Sequence, residues 1–155
     1  MPLDRAWICS HIPHQGAMCL IDEVVDWSAT DIHCRTASHR LKSNPLRTAD
    51  LLRSECGIEY GAQAIAIHGA LNVASPDAAP VAGMLASVRG VELYVDRLDD
   101  VEEALMVRAR RTGGDATALL YEFSIAGRLQ MLVAGRATIV LRPPTSTPAG
   151  VGSHA

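Results

Sequence analysis

From Arg53 to Leu71 (RSECGIEYGAQAIAIHGAL) the chain runs without proline, and Ile58, Ala62, Ile65 and Ala66 recur at helical spacing. About five turns fit this stretch at ~3.6 residues each. Small and apolar residues also cover most of its remaining surface, the pattern of a helix enclosed on several sides. On both sides of it the period shortens. Ala17 to Trp27 is rich in branched residues, and Asp31 to Ser38 sets Ile32, Cys34 and Thr36 against His33 and Arg35, which predicts two strands joined through Ser28, Ala29 and Thr30. After the helix, Ala82 to Val95 reads as a long strand in which Gly83 and Gly90 mark bulges or sharp curvature. Leu105, Val107 and Ala109 share one face of a strand over Glu102 to Arg111. Leu119, Tyr121, Phe123 and Ile125 alternate with Glu122 and Ser124, and Leu129 to Leu141 forms a last strand with Val133, Ala137 and Ile139 inward. Gly113-Gly114-Asp115 and Ala126-Gly127-Arg128 supply the turns.

Outside these elements the signals are weaker. Leu3 to Cys9 fits a short helical turn with Asp4 at its start and Pro13 beyond its end, and His14-Gln15-Gly16 reads as a turn. His39 to Leu52 is irregular, and Asn72 to Pro80 is a loop. The predicted architecture is α+β: an antiparallel sheet of about six strands around one long helix, in a single domain over residues 1–142. Residues 143–155 have too little apolar surface to fold and are expected to form a disordered tail. An open curved sheet leaves an edge, which pairing in a dimer would cover.

Composition narrows the function classes. Of the 155 residues, 48% are hydrophobic and only 4% aromatic, so the core must be largely aliphatic. A formal net charge of −3 argues against a nucleic-acid partner. Cys9, Cys19, Cys34 and Cys56 form no CxxC pair, so free thiols are expected rather than disulfides or a metal site. No stretch reaches the ~18 apolar residues of a membrane span. Nor does the N-terminus read as a signal peptide, so a cytoplasmic location without membrane association is expected.

Into the apolar helix the sequence places Glu59 and, one turn later, Gln63. A carboxyl in such surroundings is paired, protonated, or held with a raised pKa for proton transfer. Gly57 and Gly61 would either let a ligand approach the backbone or serve as packing notches. Free amides around Cys56 and Gly57 at the helix start are candidate donors to a developing oxyanion. His39 reads as a surface residue and His68 as a cap or interface residue. Arg108, Arg110 and Arg111 read as a solvated strand face or, less simply, as a docking patch for an acidic partner.

Two motifs carry a resemblance. Ile12 to Val24 (IPHQGAMCLIDEV) is similar to the PHRxPFLLVDRV segment of bacterial 3-hydroxyacyl-acyl carrier protein dehydratases, and Ile58 to Ala64 (IEYGAQA) to their IEAMAQA helix. With NPL before the helix and ASVRGVEL after it, the chain more closely resembles the dehydratase-like hot-dog proteins of aryl-polyene biosynthesis clusters. The resemblance implies a hot-dog fold and dehydration of a 3-hydroxyacyl thioester to the 2,3-unsaturated thioester, with Glu59 as general acid/base. It implies no bound cofactor and no metal: the substrate arrives on the phosphopantetheine of an acyl carrier protein or on CoA, and the partner is a second hot-dog subunit in a homodimer or heterodimer. The family's HFPG histidine has no counterpart, because Asn44-Pro45 stands at that place. His14 is then the candidate second catalytic group, with Asn44, Gln63 and Gly57 as substrate-binding candidates. An acyl-thioesterase on the same fold, or a non-catalytic subunit partnering an active dehydratase, are the alternatives.

Overall fold

The computed structural model describes residues 3–72 and 82–142; the predicted loop after the helix falls mostly outside them, and the predicted tail falls wholly outside. In chain order come β1 (Leu3–Asp4), α1 (Arg5–His11), β2 (Glu23–Trp27), β3 (Asp31–Thr36), α2 (Gly57–Leu71), β4 (Ala82–Leu93), β5 (Leu105–Gly114), β6 (Ala118–Ala126) and β7 (Met131–Arg142). One seven-stranded antiparallel sheet, ordered β1-β2-β3-β5-β6-β7-β4, wraps α2. The unpredicted strand is β1, whose two residues pair with Glu23 and Val24. Alternation sorts the faces as expected: Leu105, Val107, Tyr121, Phe123, Ile125 and Val133 are buried beneath the helix, while Arg108 and Glu122 are exposed on the outer face. Arg110 is exposed there as well, and Arg111 is half-buried.

Two corrections concern local structure. Residues 17–22 do not extend β2; a single 3-10 turn over Gly16–Met18 replaces that part of the strand. The main helix begins at Gly57, after a 3-10 turn over Ser54–Cys56. Glycine sets how closely α2 approaches the sheet. A Cβ on Gly57 would lie 3.0 Å from Val133 Cγ2, and one on Gly61 would lie 2.5 Å from Phe123 Cδ1. In β4, Gly90 adopts φ +58° where the register with β7 shifts between Arg89 and Glu92, so the bulge predicted at this glycine is present.

The sheet's two edges differ. On one side β1 is only two residues long, whereas on the other β4 runs for twelve and, among the described residues, pairs with β7 alone. Along β4 and just after it, Met84, Leu85, Leu93 and Tyr94 are exposed by 51%, 39%, 47% and 50%.

Candidate active site

Helix α2 and the segment after α1 meet at Glu59. Asp4 caps α1, its Oδ1 accepting from the Trp7 amide at 3.0 Å, and Ile8 and Ile12 anchor this segment in the core. The chain then turns through Pro13 and His14 toward α2. His14 Nε2 lies 3.0 Å from Glu59 Oε2, within a single chain, so no neighbouring subunit is needed to bring these two candidates together.

Gln63 lies one turn along α2 from Glu59 and is fully buried. Its Nε2 donates to Glu59 Oε2 at 3.1 Å and to the Met18 carbonyl at 2.7 Å, while its Oε1 accepts from the Leu20 amide at 2.9 Å. Both ends of the Gln63 amide thus hold the loop and the carboxylate. Beyond Leu20 the polar chain continues inward. The Leu20 carbonyl accepts from Thr36 Oγ1 at 2.5 Å and from Ser38 Oγ at 2.7 Å, and Ser38 Oγ meets the Tyr60 hydroxyl at 2.9 Å.

Asn44 ends this network. Its Nδ2 donates to the Tyr60 hydroxyl and the Ser38 carbonyl, both at 3.0 Å, and its Oδ1 accepts from the Leu46 amide. Being buried and fully bonded, it braces the loop before α2 and offers no free group to a substrate. Gly57 is also closely packed. It is a buried notch against Val133, and the 3-10 turn takes up the amides expected to serve an oxyanion: Cys56 N–H donates to the Arg53 carbonyl at 3.0 Å and Gly57 N–H to Ser54.

Three other expectations change. His39 is buried, not a surface residue, with Nε2–H donating to the Val101 carbonyl; burial holds its pKa below the usual imidazole range. His68 is also buried, accepting from the Tyr121 hydroxyl at 2.6 Å and donating to the Ser28 carbonyl at 2.9 Å, and desolvation lowers its pKa too. It therefore bridges helix to sheet inside the core and is neither cap nor interface. Glu59 is less enclosed than its helix suggested, with a side chain 33% exposed in the single chain.

All four cysteines are free, and burial pushes the Cys34 thiol up to about 12. A groove of about 620 Å³ crosses the outer sheet face between His33, Arg108, Arg136 and Glu92; Arg108 and Arg110 of the basic strand face line it, but none of Glu59, His14, Gln63, Asn44 and Gly57 does. Part of its wall is neutralised, since Arg110 pairs with Asp31 at 3.3 Å. The chemistry therefore belongs to the Glu59 side of the molecule.

At Glu59 the geometry is specific. Oε2 accepts from Gln63 and lies against His14 Nε2, whereas among the described residues Oε1 has no hydrogen-bond partner. A carboxylate held through one oxygen and open at the other can take or deliver a proton at the open one. Ile58, Ala62 and Ala66, half-buried on the same flank of α2, make an apolar surface beside it.

A long helix wrapped by an antiparallel sheet, with an acid on the helix, defines a hot-dog protein. A family profile described as ApeP-like, ApeP dehydratase, matches residues 7–149, and the chain belongs to that family. Among solved structures, the dehydratase heterocomplex ApeI:P from Xenorhabdus doucetiae superposes with a TM-score of 0.77 at 22% identity, over 88% of this chain and 91% of that one. A thioesterase from Pseudomonas aeruginosa gives 0.65 at 12% identity, covering 90% and 94%, and one from Haemophilus influenzae gives 0.61 at 8%, covering 81% of each. At these identities the likeness establishes the fold. No curated protein matches at a significant level. Among the described residues no helix is long and apolar enough to cross a membrane.

Proposed function

We propose that this chain dehydrates a 3-hydroxyacyl thioester, carried on an acyl carrier protein or CoA, with Glu59 as its general acid/base and His14 as the catalytic group that holds it. The observation that carries the reading is the His14–Glu59 contact at 3.0 Å, which leaves Oε1 open. In the reaction Glu59 Oε1 removes the α-proton and the electrons of that C–H bond form an enolate-like thioester. The carboxyl then returns the proton to the β-hydroxyl, the C–O bond breaks, and water leaves as the 2,3 double bond forms. Gln63 donates to Oε2 and His14 Nε2 lies against the same oxygen; together they keep the carboxylate oriented, which confines transfer to the free oxygen. The acyl chain lies along Ile58, Ala62 and Ala66. Exposed β4 fits pairing with a second hot-dog subunit, identical or different.

The test follows 2,3-unsaturated thioester formation from 3-hydroxyacyl-CoA and from the carrier-bound substrate. Glu59→Gln is expected to lower kcat by about 10²–10⁴-fold, the range for loss of a positioned acid/base. Wild-type turnover in that variant would overturn the assignment. The thioesterase reading draws on the fold of the Pseudomonas and Haemophilus proteins; free thiol released without an unsaturated product would select it. The name of the ApeI:P heterocomplex favours a third outcome: turnover absent alone and appearing when a second hot-dog subunit is added.

A further inference from the structure

The segment that carries His14 is gripped from two sides. Gln63 holds it from the core through Met18 and Leu20. From the outside comes Arg5, the first residue of α1, whose Nη2 donates to the Gly16 carbonyl and to the Cys19 carbonyl, each at 2.8 Å. Among the described residues Arg5 has no carboxylate within salt-bridge distance, so these two carbonyls are what its guanidinium serves. They lie at the start and just past the end of the 3-10 turn over Gly16–Met18: the Gly16 carbonyl also closes the turn by accepting the Cys19 amide, and the Cys19 carbonyl lies past its C-terminal end, where a cation is favoured. Gly16 needs the grip, because it turns the chain at φ +57° with open space around its Cα. The left-handed turn between His14 and the buried Leu20 is thus fastened by a single exposed side chain.

We propose that Arg5 is a positioning residue of the active site: by pinning the 3-10 turn it fixes His14 against Glu59. The inference rests on the His14–Glu59 reading above, though Arg5 touches neither residue. Because Asp4 caps the helix that Arg5 begins, α1 acts as the rigid arm from which the guanidinium reaches. Removing the guanidinium lets the turn relax while the core side of the loop, held by Gln63, stays in place. A displacement of this size at an acid/base pair lowers turnover far more than substrate affinity.

The experiment uses the full chain, with its partner subunit if turnover requires one. Arg5→Met is compared with wild type for kcat, for KM and for amide hydrogen exchange at Cys19, whose N–H bonds the Gly16 carbonyl. Expected are a kcat lower by about 10- to 100-fold, a KM little changed, and faster exchange at Cys19. Guanidinium ion, added at a non-denaturing concentration, should restore both kcat and exchange protection, which a merely destabilised fold would not allow. Arg5→Lys keeps the charge with a shorter reach and should lie between; it decides the matter if Arg5→Met fails to fold. Unchanged turnover alongside a loosened turn in either variant overturns the proposal, as does lost turnover with native exchange. If wild type itself forms no unsaturated thioester, the functional reading falls, and the exchange arm still decides whether Arg5 pins the turn.

Discussion

Gln63 connects most of the site, and its replacement shows how the site is held. Leucine there would leave the Met18 carbonyl and Leu20 amide buried without partners and free Glu59 Oε2 of one donor. Gln63→Leu is expected to cost about 2–3 kcal/mol in urea unfolding, in line with the penalty for orphaned buried backbone groups. A result near zero would mean that the loop re-pairs elsewhere. Histidines give a second test at this scale. Unfolded imidazoles titrate near 6.5, while burial keeps His39 and His68 neutral to lower pH in the fold. The unfolded chain therefore binds protons first as pH falls, so this stability is complete above pH 6.5 and declines below it. Urea midpoints should fall from about pH 7 to about pH 5, with a shallower slope in His68→Gln. The motifs made Glu59 and His14 readable as candidates. Gln63's grip on the Met18 carbonyl and the Leu20 amide was not, because backbone groups occur in any sequence, and buried His39 was unreadable because nothing near it in sequence announces the Val101 carbonyl.

For the elements, spacing was a good guide to type and a poor one to ends. The apolar stripe placed α2 correctly, but its first turn is 3-10, and that difference removes the Cys56 and Gly57 amides from any oxyanion role. The branched run before β2 looked like strand because Cys19, Leu20 and Ile21 are buried; side-chain burial there comes without sheet pairing. How close α2 sits to the sheet can be probed at Gly61. A methyl group would meet the Phe123 ring at 2.5 Å, so Gly61→Ala should destabilise the fold by about 2 kcal/mol or more despite alanine's better helix propensity. Retained or improved stability would show that Phe123 can rotate away.

The molecule as a whole has one long edge unfinished. The exposed apolar side chains along β4 and the unpaired backbone of its outer side make it the natural seam for a second subunit, as a sequence with one helix and an open sheet already suggested. Leu85→Lys is expected to shift the sedimenting species toward monomer and to reduce turnover in parallel, if association completes the site. An unchanged sedimentation coefficient would place the seam elsewhere.

The strand order also dictates a sequence of events during folding. The strand that follows the helix, β4, lies at the far edge of the sheet, and among the described residues its one neighbour is β7, the last strand made. During synthesis β4 must wait, unpaired, while two other strands and two turns are completed. So late a closure over so large a loop predicts slow folding, and a nascent chain in which this waiting strand is the segment most in need of a chaperone's shelter.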